Sequence, residues 1–479
     1  MSTDLQRIQL PRGLWAVAAL STAAIGLLSI WNPLAAALLV AGVLLGAMAL
    51  HDLSALVSAT LLLHLVGERQ GFSYASLSLV GVNLFPNDLL TLALLIAVLV
   101  RSLRDGRSIK RPRGAIHWSL WAFLAYGALS MLRGITIHGW AAVLSFRVQF
   151  FYALLFVLVL DVMRAERSRV RLAGMVVAAG VVVALQGLWN AATGTPVGGT
   201  TSTDTLRYLS GLQALTLFFA LAILAGGVWP RRRPVWSLVC GALYLIGILL
   251  SQARSVWLGA IFGLLTVAVA GSDLRRHGAR LITGAGVLVG VILLALPRLS
   301  SLPVVGDIYT RLTSFSDLDQ DATSIWRLVV WGSALLELKA SPVLGLGLGK
   351  PFVYFDAVRG EWDKESQLHN SYLELAYFTG AIGVGLLILF QVVVLRRTLD
   401  AARRHAATAR GARLRALAAA QVCLYAVAFT NVIGASMTSA TFGWILAALS
   451  VLEANAADAS DPAEPSRQEQ LITGQPKHD

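Results

Sequence analysis

The sequence predicts an all-α polytopic membrane protein with about 12–14 transmembrane helices and one long periplasmic segment that carries an amphipathic helix. Hydrophobic residues make up 56% of its 479 residues and charged residues only 14%, and the mean hydropathy is +0.69. A soluble domain carries about 25% charged residues. Apolar stretches recur along the whole chain, and each is long enough to cross about 30 Å of hydrocarbon as a helix. They lack the period-2 alternation of a membrane barrel.

The apolar stretches place the helices along the chain. An apolar run follows Arg7 and Arg12 and resembles a signal peptide, but "SIWNPLA" (29–35) offers no small-x-small cleavage site, so we expect an uncleaved first helix. Cys240 and Cys423 both fall inside predicted spans, which predicts neither a disulfide framework nor a cysteine metal site. The predicted spans are 14–30, 34–50, 53–66, 87–103, 116–133, 146–163, 170–190, 209–228, 235–250, 255–271, 280–297, 371–395, 413–432 and 437–453.

Basic residues set the predicted orientation. The net charge of +13 does not indicate nucleic-acid binding here, because arginines and lysines collect in the cytoplasmic loops of membrane proteins. Five basic loops fall on one side, which we assign to the cytoplasm together with both termini. We therefore expect a transmembrane bundle (1–297), a periplasmic segment (298–370), C-terminal transmembrane helices (371–453) and a disordered cytoplasmic tail (454–479).

The periplasmic segment contains two local patterns. Residues 322–342 predict an amphipathic helix, and its tryptophans suggest that it lies in the membrane interface, either packed on the bundle or forming a lid. Its predicted apolar face consists of Trp326, Val329, Val330, Leu335 and Leu338. The stretch "GLGLGK" (345–350) resembles a phosphate loop only superficially, because it lacks the first glycine, the Ser or Thr after the lysine and a preceding strand. We expect a flexible turn there.

A titratable ring precedes the next helix. In "QLHNSYLEL" (367–375), Ser371 and Glu374 fit a capping box that starts a helix, so His369 would lie beside the positive end of the helix dipole. That end favours the neutral imidazole, which can accept a proton from a hydroxyl. The alternatives are a histidine that only hydrogen-bonds at a helix start, or an acidic base such as Glu68 or Asp52.

Several arginines lie against the positive-inside bias, at the outer ends of predicted spans. Few acids accompany them, namely Asp204, Glu68 and Glu374, so the set suggests an anionic ligand such as a lipid diphosphate, which arginine binds with two parallel hydrogen bonds. Snorkelling to ordinary lipid phosphates is the alternative for any one of them. The outer arginines are Arg133, Arg147, Arg207 and Arg254.

These residues resemble a known family. "HNSYLELAYFTGAIG" (369–383) is similar to the signature of the O-antigen ligase family, filled here by His369, Asn370, Gly380 and Gly383. The segment ahead also resembles the family in Trp326-Arg327, Pro342 and the spaced glycines. The family implies a helical-membrane (GT-C-like) glycosyltransferase that is inverting and needs neither metal nor cofactor. It would move polysaccharide from undecaprenyl diphosphate to a lipid A–core acceptor at the periplasmic face of the bacterial inner membrane.

The resemblance also implies roles for single residues. His369 would activate the acceptor hydroxyl and Arg254 would bind the diphosphate, although Ala253 stands where the family usually has serine. Arg207 and Arg147 are further diphosphate candidates because of their positions at span ends. Supporting candidates are Asn370, Arg327 and Tyr372.

Other functions share parts of this pattern. An O-antigen polymerase or a protein O-oligosaccharyltransferase would use the same kind of donor, and the chain has no large C-terminal soluble domain of the kind expected for a protein acceptor. From a different class, an anion or solute transporter would also collect arginines, but it would show internal repeats and broken helices at mid-membrane. The expected partners are the diphosphate-linked donor, the lipid A–core acceptor and membrane lipids, without nucleic acid.

Overall fold

A computed structural model gives the fold of the described part of the chain. The structure describes residues 52–55, 57–58, 77–79, 82–84, 86–106, 114–195, 208–225, 234–270, 306, 308–309, 322–356, 360–365, 367–431 and 437–459. The chain divides into two compact units, residues 1–57 and 58–479. In the described part of the first unit, the Asp52 carboxylate accepts hydrogen bonds from the N–H groups of Ser54 and Ala55, as a helix cap does.

The described part of the second unit is helical apart from two short antiparallel hairpins. The first hairpin pairs β1 (Leu77–Leu79) with β2 (Val82–Leu84), and the second pairs β3 (Phe352–Asp356) with β4 (Glu361–Glu365). The helices are α1 (Pro86–Asp105), α2 (Gly114–His138), α3 (Ala141–Gln149), α4 (Leu154–Val162), α5 (Glu166–Thr193), α6 (Gly211–Ala225), α7 (Pro234–Leu250), α8 (Arg254–Val269), α9 (Ala322–Leu338), α10 (Ser371–Arg404), α11 (Ala409–Ala428) and α12 (Met437–Asp458).

The helices confirm an all-α polytopic membrane protein. Within the described residues, five stretches are long and apolar enough to cross a membrane, and four shorter apolar helices accompany them. The long stretches are Gly114–His138, Ala141–Val162, Glu166–Thr193, Ser371–Arg404 and Ala440–Asp458. The predicted spans 14–30, 34–50 and 280–297, and most of 53–66, lie outside the described residues.

The structure refines two predictions. The stretch Ala141–Val162 supports the predicted span at 146–163, which is built from α3 and α4 joined by a 3₁₀ turn at Phe151–Ala153. The first five residues of the tail predicted to be disordered from residue 454 are helical instead, because α12 continues to Asp458, whose carboxylate pairs with Arg397 and Arg404 of α10. The sequence did not predict the hairpins.

Ion pairs gather at one end of the bundle, which we call the ionic end. There Glu166 of α5 pairs with Arg410 and Arg413 of α11, and Glu453 of α12 pairs with Arg413 and with the buried Arg169. The start of α5, the start of α11 and the end of α12 therefore meet at this end. These arginines come from basic loops that the sequence placed on one side of the membrane.

The opposite end brings together α10, α11, α6 and α8. The Ser371 hydroxyl at the start of α10 donates a hydrogen bond to the carbonyl of Asn431, just past the end of α11 (2.9 Å). Gly211, the first residue of α6, lies beside the Asn431 amide. Gly259 of α8 packs closely against the last turns of α11, as small residues do between membrane helices. Arg254, which begins α8, therefore lies at the same end as Ser371.

Helix α10 is interrupted at Gly380, which has φ 67° and ψ −168°. A Cβ atom at this position would lie 2.1 Å from the carbonyl oxygen of Val343. Only glycine combines the left-handed φ with so close a backbone approach. This requirement gives a physical reason for the glycine in the signature segment.

The glycine-rich turn after α9 supplies the hydrogen bonds that the interrupted helix lacks. Backbone groups within a membrane need internal partners, and here the turn both accepts from α10 and donates to it. The expectation of a flexible turn was wrong, since Gly345 and Gly349 pack against the backbones of α10 and α3 with no room for a side chain. The bonds run from Ala381 N to Pro342 O (2.9 Å), from Leu346 N to Tyr377 O (2.8 Å) and from Gly347 N to Phe378 O (3.0 Å).

We expect Gly380→Ala to destabilise the protein. This backbone conformation, which essentially only glycine adopts, costs another residue about 1–3 kcal/mol, and the contact with Val343 adds to this cost. Thermal unfolding of the purified protein in detergent should show a clearly lower melting temperature. Gly385→Ala, in the same helix with open space around it, is the matched control and should leave the melting temperature unchanged or raise it. Equal melting temperatures for the two variants would contradict this account of the interruption.

Candidate functional site

The signature segment forms a short connection that we call the strap, residues Leu368–Ser371, between the second hairpin and α10. Asn370 is the N-cap of α10, and its side-chain oxygen accepts two N–H groups of the first turn at 3.1 and 3.0 Å. The predicted capping box, with Ser371 as N-cap and Glu374 reaching back to it, was therefore wrong. The amide of Asn370 fixes the start of the helix, and the Ser371 hydroxyl ties the strap to Asn431.

His369 directly precedes this cap and has an unusual backbone conformation. Its φ is +50°, in the left-handed region that few non-glycine residues adopt. Its half-buried ring meets the ring of Trp326 of α9 edge-on, with 5.2 Å between the centroids. The imidazole thus lies between α9 and the start of α10.

The backbone before His369 is held from two sides. The Leu368 N–H donates to Oε2 of the buried Glu374 (3.2 Å), and the Leu368 carbonyl accepts from the Trp331 indole N–H (2.7 Å). The other oxygen of Glu374 accepts from the Gln149 amide at the end of α3 (2.9 Å). Helices α3, α9 and α10 therefore all help to fix the position of His369. The sequence signal for this was the glutamate of the predicted capping box, whose true partners are the nearby Leu368 N–H and the distant Gln149 amide.

Substitutions at Glu374 test whether its hydrogen bonds to Leu368 and Gln149 support activity. Glu374→Leu leaves the Leu368 N–H and the Gln149 amide without their acceptor, and each lost partner costs about 1–3 kcal/mol. We expect a kcat at least tenfold lower with little change in the KM for donor. Glu374→Gln should keep most activity, because the Gln149 amide can turn to accept from the new amide while Leu368 keeps its acceptor. An unchanged kcat in the leucine variant, or equal losses in both variants, would contradict a positioning role.

Arg254 begins α8 after a buried tight turn. The residue before it, Ala253, is the N-cap, and no side chain caps the first turn of the helix. Gln252 in this turn is fully buried with φ +49°. A guanidinium at a helix N-terminus gives two sources of positive potential at one place, which suits an anionic group.

Arg207 lies outside the described residues. The residue that follows it, Tyr208, donates its N–H to the carbonyl of Leu250 (3.2 Å), directly before the turn that carries Arg254. The Asn190 side chain of α5 donates to the Tyr208 carbonyl in turn. The chain just after Arg207 therefore packs beside the Arg254 turn, while a role for Arg207 itself stays a prediction.

Arg147 has a protein counter-ion. Its guanidinium lies 3.4 Å from Oδ2 of the buried Asp88, whose other oxygen accepts from the Tyr152 hydroxyl (2.7 Å). Asp88 was not among the acids expected at this face, although its position near the start of α1 is typical of an acid that interacts with a helix N-terminus. The diphosphate role predicted for Arg147 is still a prediction.

The remaining supporting candidates differ in position. Asn370 acts as a helix cap, and Arg327 lies half-buried on α9 next to the tryptophan that touches His369. Tyr372 lies in the first turn of α10, and its hydroxyl donates to the Gln391 side chain (3.1 Å). It helps to line a cavity of about 80 Å³ between α10, α11 and α12, together with Gln149 and Ser371.

The other expectations concern acids and metals. Asp52 accepts hydrogen bonds as a helix cap, and Glu68 lies outside the described residues. Within the ranges that the structure describes, no group of three or more His, Cys, Asp or Glu side chains is arranged to hold a metal ion.

The long apolar helices define a multi-pass membrane protein. Ion pairs gather at one end of its bundle, and the strap with His369, the candidate functional site, lies at the other end. Residues 239–389 match the family described as O-antigen ligase. The match covers about a third of the chain, includes both Arg254 and His369, and supports assignment of this protein to the O-antigen ligase family. It supports a function of the O-antigen ligase or polymerase type in glycan assembly, which implies lipid-linked glycan substrates. No curated protein matches the sequence.

Proposed function

We propose that this protein is a glycosyltransferase that moves a glycan from an undecaprenyl diphosphate donor to a hydroxyl of a lipid A–core acceptor. The single observation that carries the proposal is the strap, which fixes His369 at the same end of the bundle as Arg254. Both lie inside the segment that matches the O-antigen ligase family. We place the reaction at the periplasmic face of the bacterial inner membrane, because the ionic end, whose arginines belong to two of the predicted basic loops, lies opposite the strap.

The proposed reaction is a single displacement. The neutral imidazole of His369 takes the proton of the acceptor hydroxyl while the acceptor oxygen forms a bond to the anomeric carbon. The bond between that carbon and the diphosphate oxygen breaks, and the electron pair leaves with the diphosphate. Attack from the face opposite the leaving group inverts the anomeric configuration. The imidazolium then returns its proton to the released diphosphate or to water.

The departing diphosphate needs positive charge. Arg254 and the start of α8 supply it in this proposal, with Arg207 and Arg147 as further contributors. Arg147 is paired with Asp88, and Arg254 stands at the N-terminus of α8. Preformed cations of this kind stabilise developing charge without reorganising during the reaction.

Transfer in vitro with purified protein tests the proposal. A diphosphate-linked glycan donor is offered separately with lipid A–core acceptor and with a second diphosphate-linked glycan, each with and without chelator. We expect product with lipid A–core that is unaffected by chelator. Product only with the second diphosphate-linked glycan would show that the activity is that of a polymerase and not of a ligase. No product with either acceptor, together with solute flux in vesicles, would favour a transporter and contradict the proposal.

A further inference from the structure

The exposed face of helix α9 is apolar, whereas a helix that faces water exposes its polar residues. Each residue of Ser324–Leu338 that is exposed is apolar, whereas the polar residues of that stretch are half-buried against the rest of the protein. A helix on the surface of a soluble protein shows the reverse arrangement. The exposed residues are Ile325, Leu328, Val329, Gly332, Leu335 and Leu336, and the half-buried polar ones are Ser324, Arg327, Ser333 and Glu337.

The exposed residues form one continuous stripe. They recur at steps of three and four, which is the spacing of a single helix face. Their large side chains are between 39% and 64% exposed. We call these residues the α9 stripe. Val343 and Leu344 extend it past the end of the helix with similar exposure.

The opposite face of α9 is already occupied by protein. Val330 and Ala334 are fully buried in a cluster with Tyr354 and Tyr377, and Trp326 packs against this cluster. The apolar face predicted from the sequence combined residues from both sides, since Val330 packs inward while Val329 and Leu335 belong to the stripe. Helix α9 therefore has two apolar faces, and among the residues that the structure describes only the inner face has a protein partner.

A contact with α2, a membrane-spanning helix, fixes the position of the stripe. The Arg133 guanidinium near the end of α2 donates to the carbonyl of Leu344 (3.0 Å). Beside Arg133, α2 exposes Leu132 and Ile135, and α2 is one of the helices apolar enough to cross a membrane. The stripe thus continues the lipid-facing surface of α2. The exposed Lys339 follows the stripe and can extend its ammonium to lipid phosphates.

We propose that α9 lies in the bilayer, with its stripe in contact with lipid in the leaflet around the strap end of α2. The inner side of the helix then carries Trp326 and Arg327 at headgroup depth, next to His369. The partner of this surface is the lipid of the surrounding membrane. The inference does not depend on the proposed transfer reaction, because it concerns only what covers the stripe.

Spin-label accessibility in lipid nanodiscs tests the proposal without an activity assay. Cys240 and Cys423 are first replaced by alanine, and single cysteines then carry the label at Leu328 or Leu336. Ile388→Cys, exposed on α10, is the lipid-facing control, and Lys364→Cys, exposed on the second hairpin, is the water-facing control.

We expect labels at Leu328 and Leu336 to behave like the label at Ile388, with higher accessibility to oxygen than to a water-soluble nickel chelate. Nickel accessibility equal to that at Lys364 would overturn the proposal, because the stripe would then face water. Low accessibility to both reagents would also overturn it, and would indicate that a second copy of the chain covers the stripe.

Discussion

Replacing His369 by alanine should abolish glycan transfer while leaving donor binding intact. Loss of a general base lowers kcat by about 10²–10⁴-fold, whereas the groups that hold the diphosphate are unchanged. The strap should keep its shape, since Asn370 still caps α10 and alanine tolerates the left-handed φ only slightly less well than histidine. The measurement is steady-state transfer with purified protein, together with a separate titration of the labelled donor.

A histidine elsewhere provides the control for this prediction. His117 lies in the first turn of α2, at the end of that helix opposite His138, whose ring contacts the glycine-rich turn. His117→Ala should transfer glycan at the original rate. Full transfer by the His369 variant would end the general-base assignment, and loss of donor binding together with transfer would show that His369 holds substrate.

Replacing Arg254 by alanine should weaken donor binding and also lower kcat. Hydrogen bonds to charged groups contribute about 1.5–3 kcal/mol, so the donor dissociation constant should rise roughly 10–100-fold. Arg254→Lys keeps the charge but loses the planar fork, and an intermediate affinity is expected. The comparison uses the same donor titration and the same transfer assay as for His369.

The control for Arg254 is an arginine away from the strap end. Arg101 is exposed near the end of α1 and belongs to one of the predicted basic loops. Arg101→Ala should bind donor with unchanged affinity. If the alanine variants of Arg254 and Arg101 bound donor equally well, the guanidinium at the start of α8 would have no part in holding the diphosphate.

The sequence predicted most helices because apolar length is a local property. The spans 235–250 and 255–271 became α7 and α8 within about two residues at each boundary, since a polar turn with a single arginine separates two apolar runs. The break between α3 and α4 was not predictable in the same way. Nothing in the apolar run around Phe151 differs from its neighbours, and the break depends on packing within the bundle.

The sequence singled out His369 and Arg254 as site candidates, and their roles stay predictions, but it did not predict the contacts around them. His369 and Arg254 stand out as polar residues at the ends of apolar segments, and their positions follow from topology. One partner of Glu374, Gln149, lies on another helix 225 residues away in the chain. The Asp88 counter-ion of Arg147 is likewise distant, and only the folded bundle brings the two together. Long-range polar pairs leave no periodic pattern in a single sequence.

The most direct test of the central claim is an electron cryomicroscopy structure of the His369→Ala variant with intact diphosphate-linked donor in nanodiscs. The variant should hold the donor without turnover. We expect the diphosphate to lie about 3 Å from the Arg254 guanidinium, within hydrogen-bond distance, and the anomeric carbon to face the space left by the imidazole. A diphosphate bound away from the start of α8, or an anomeric carbon turned away from the strap, would contradict the account.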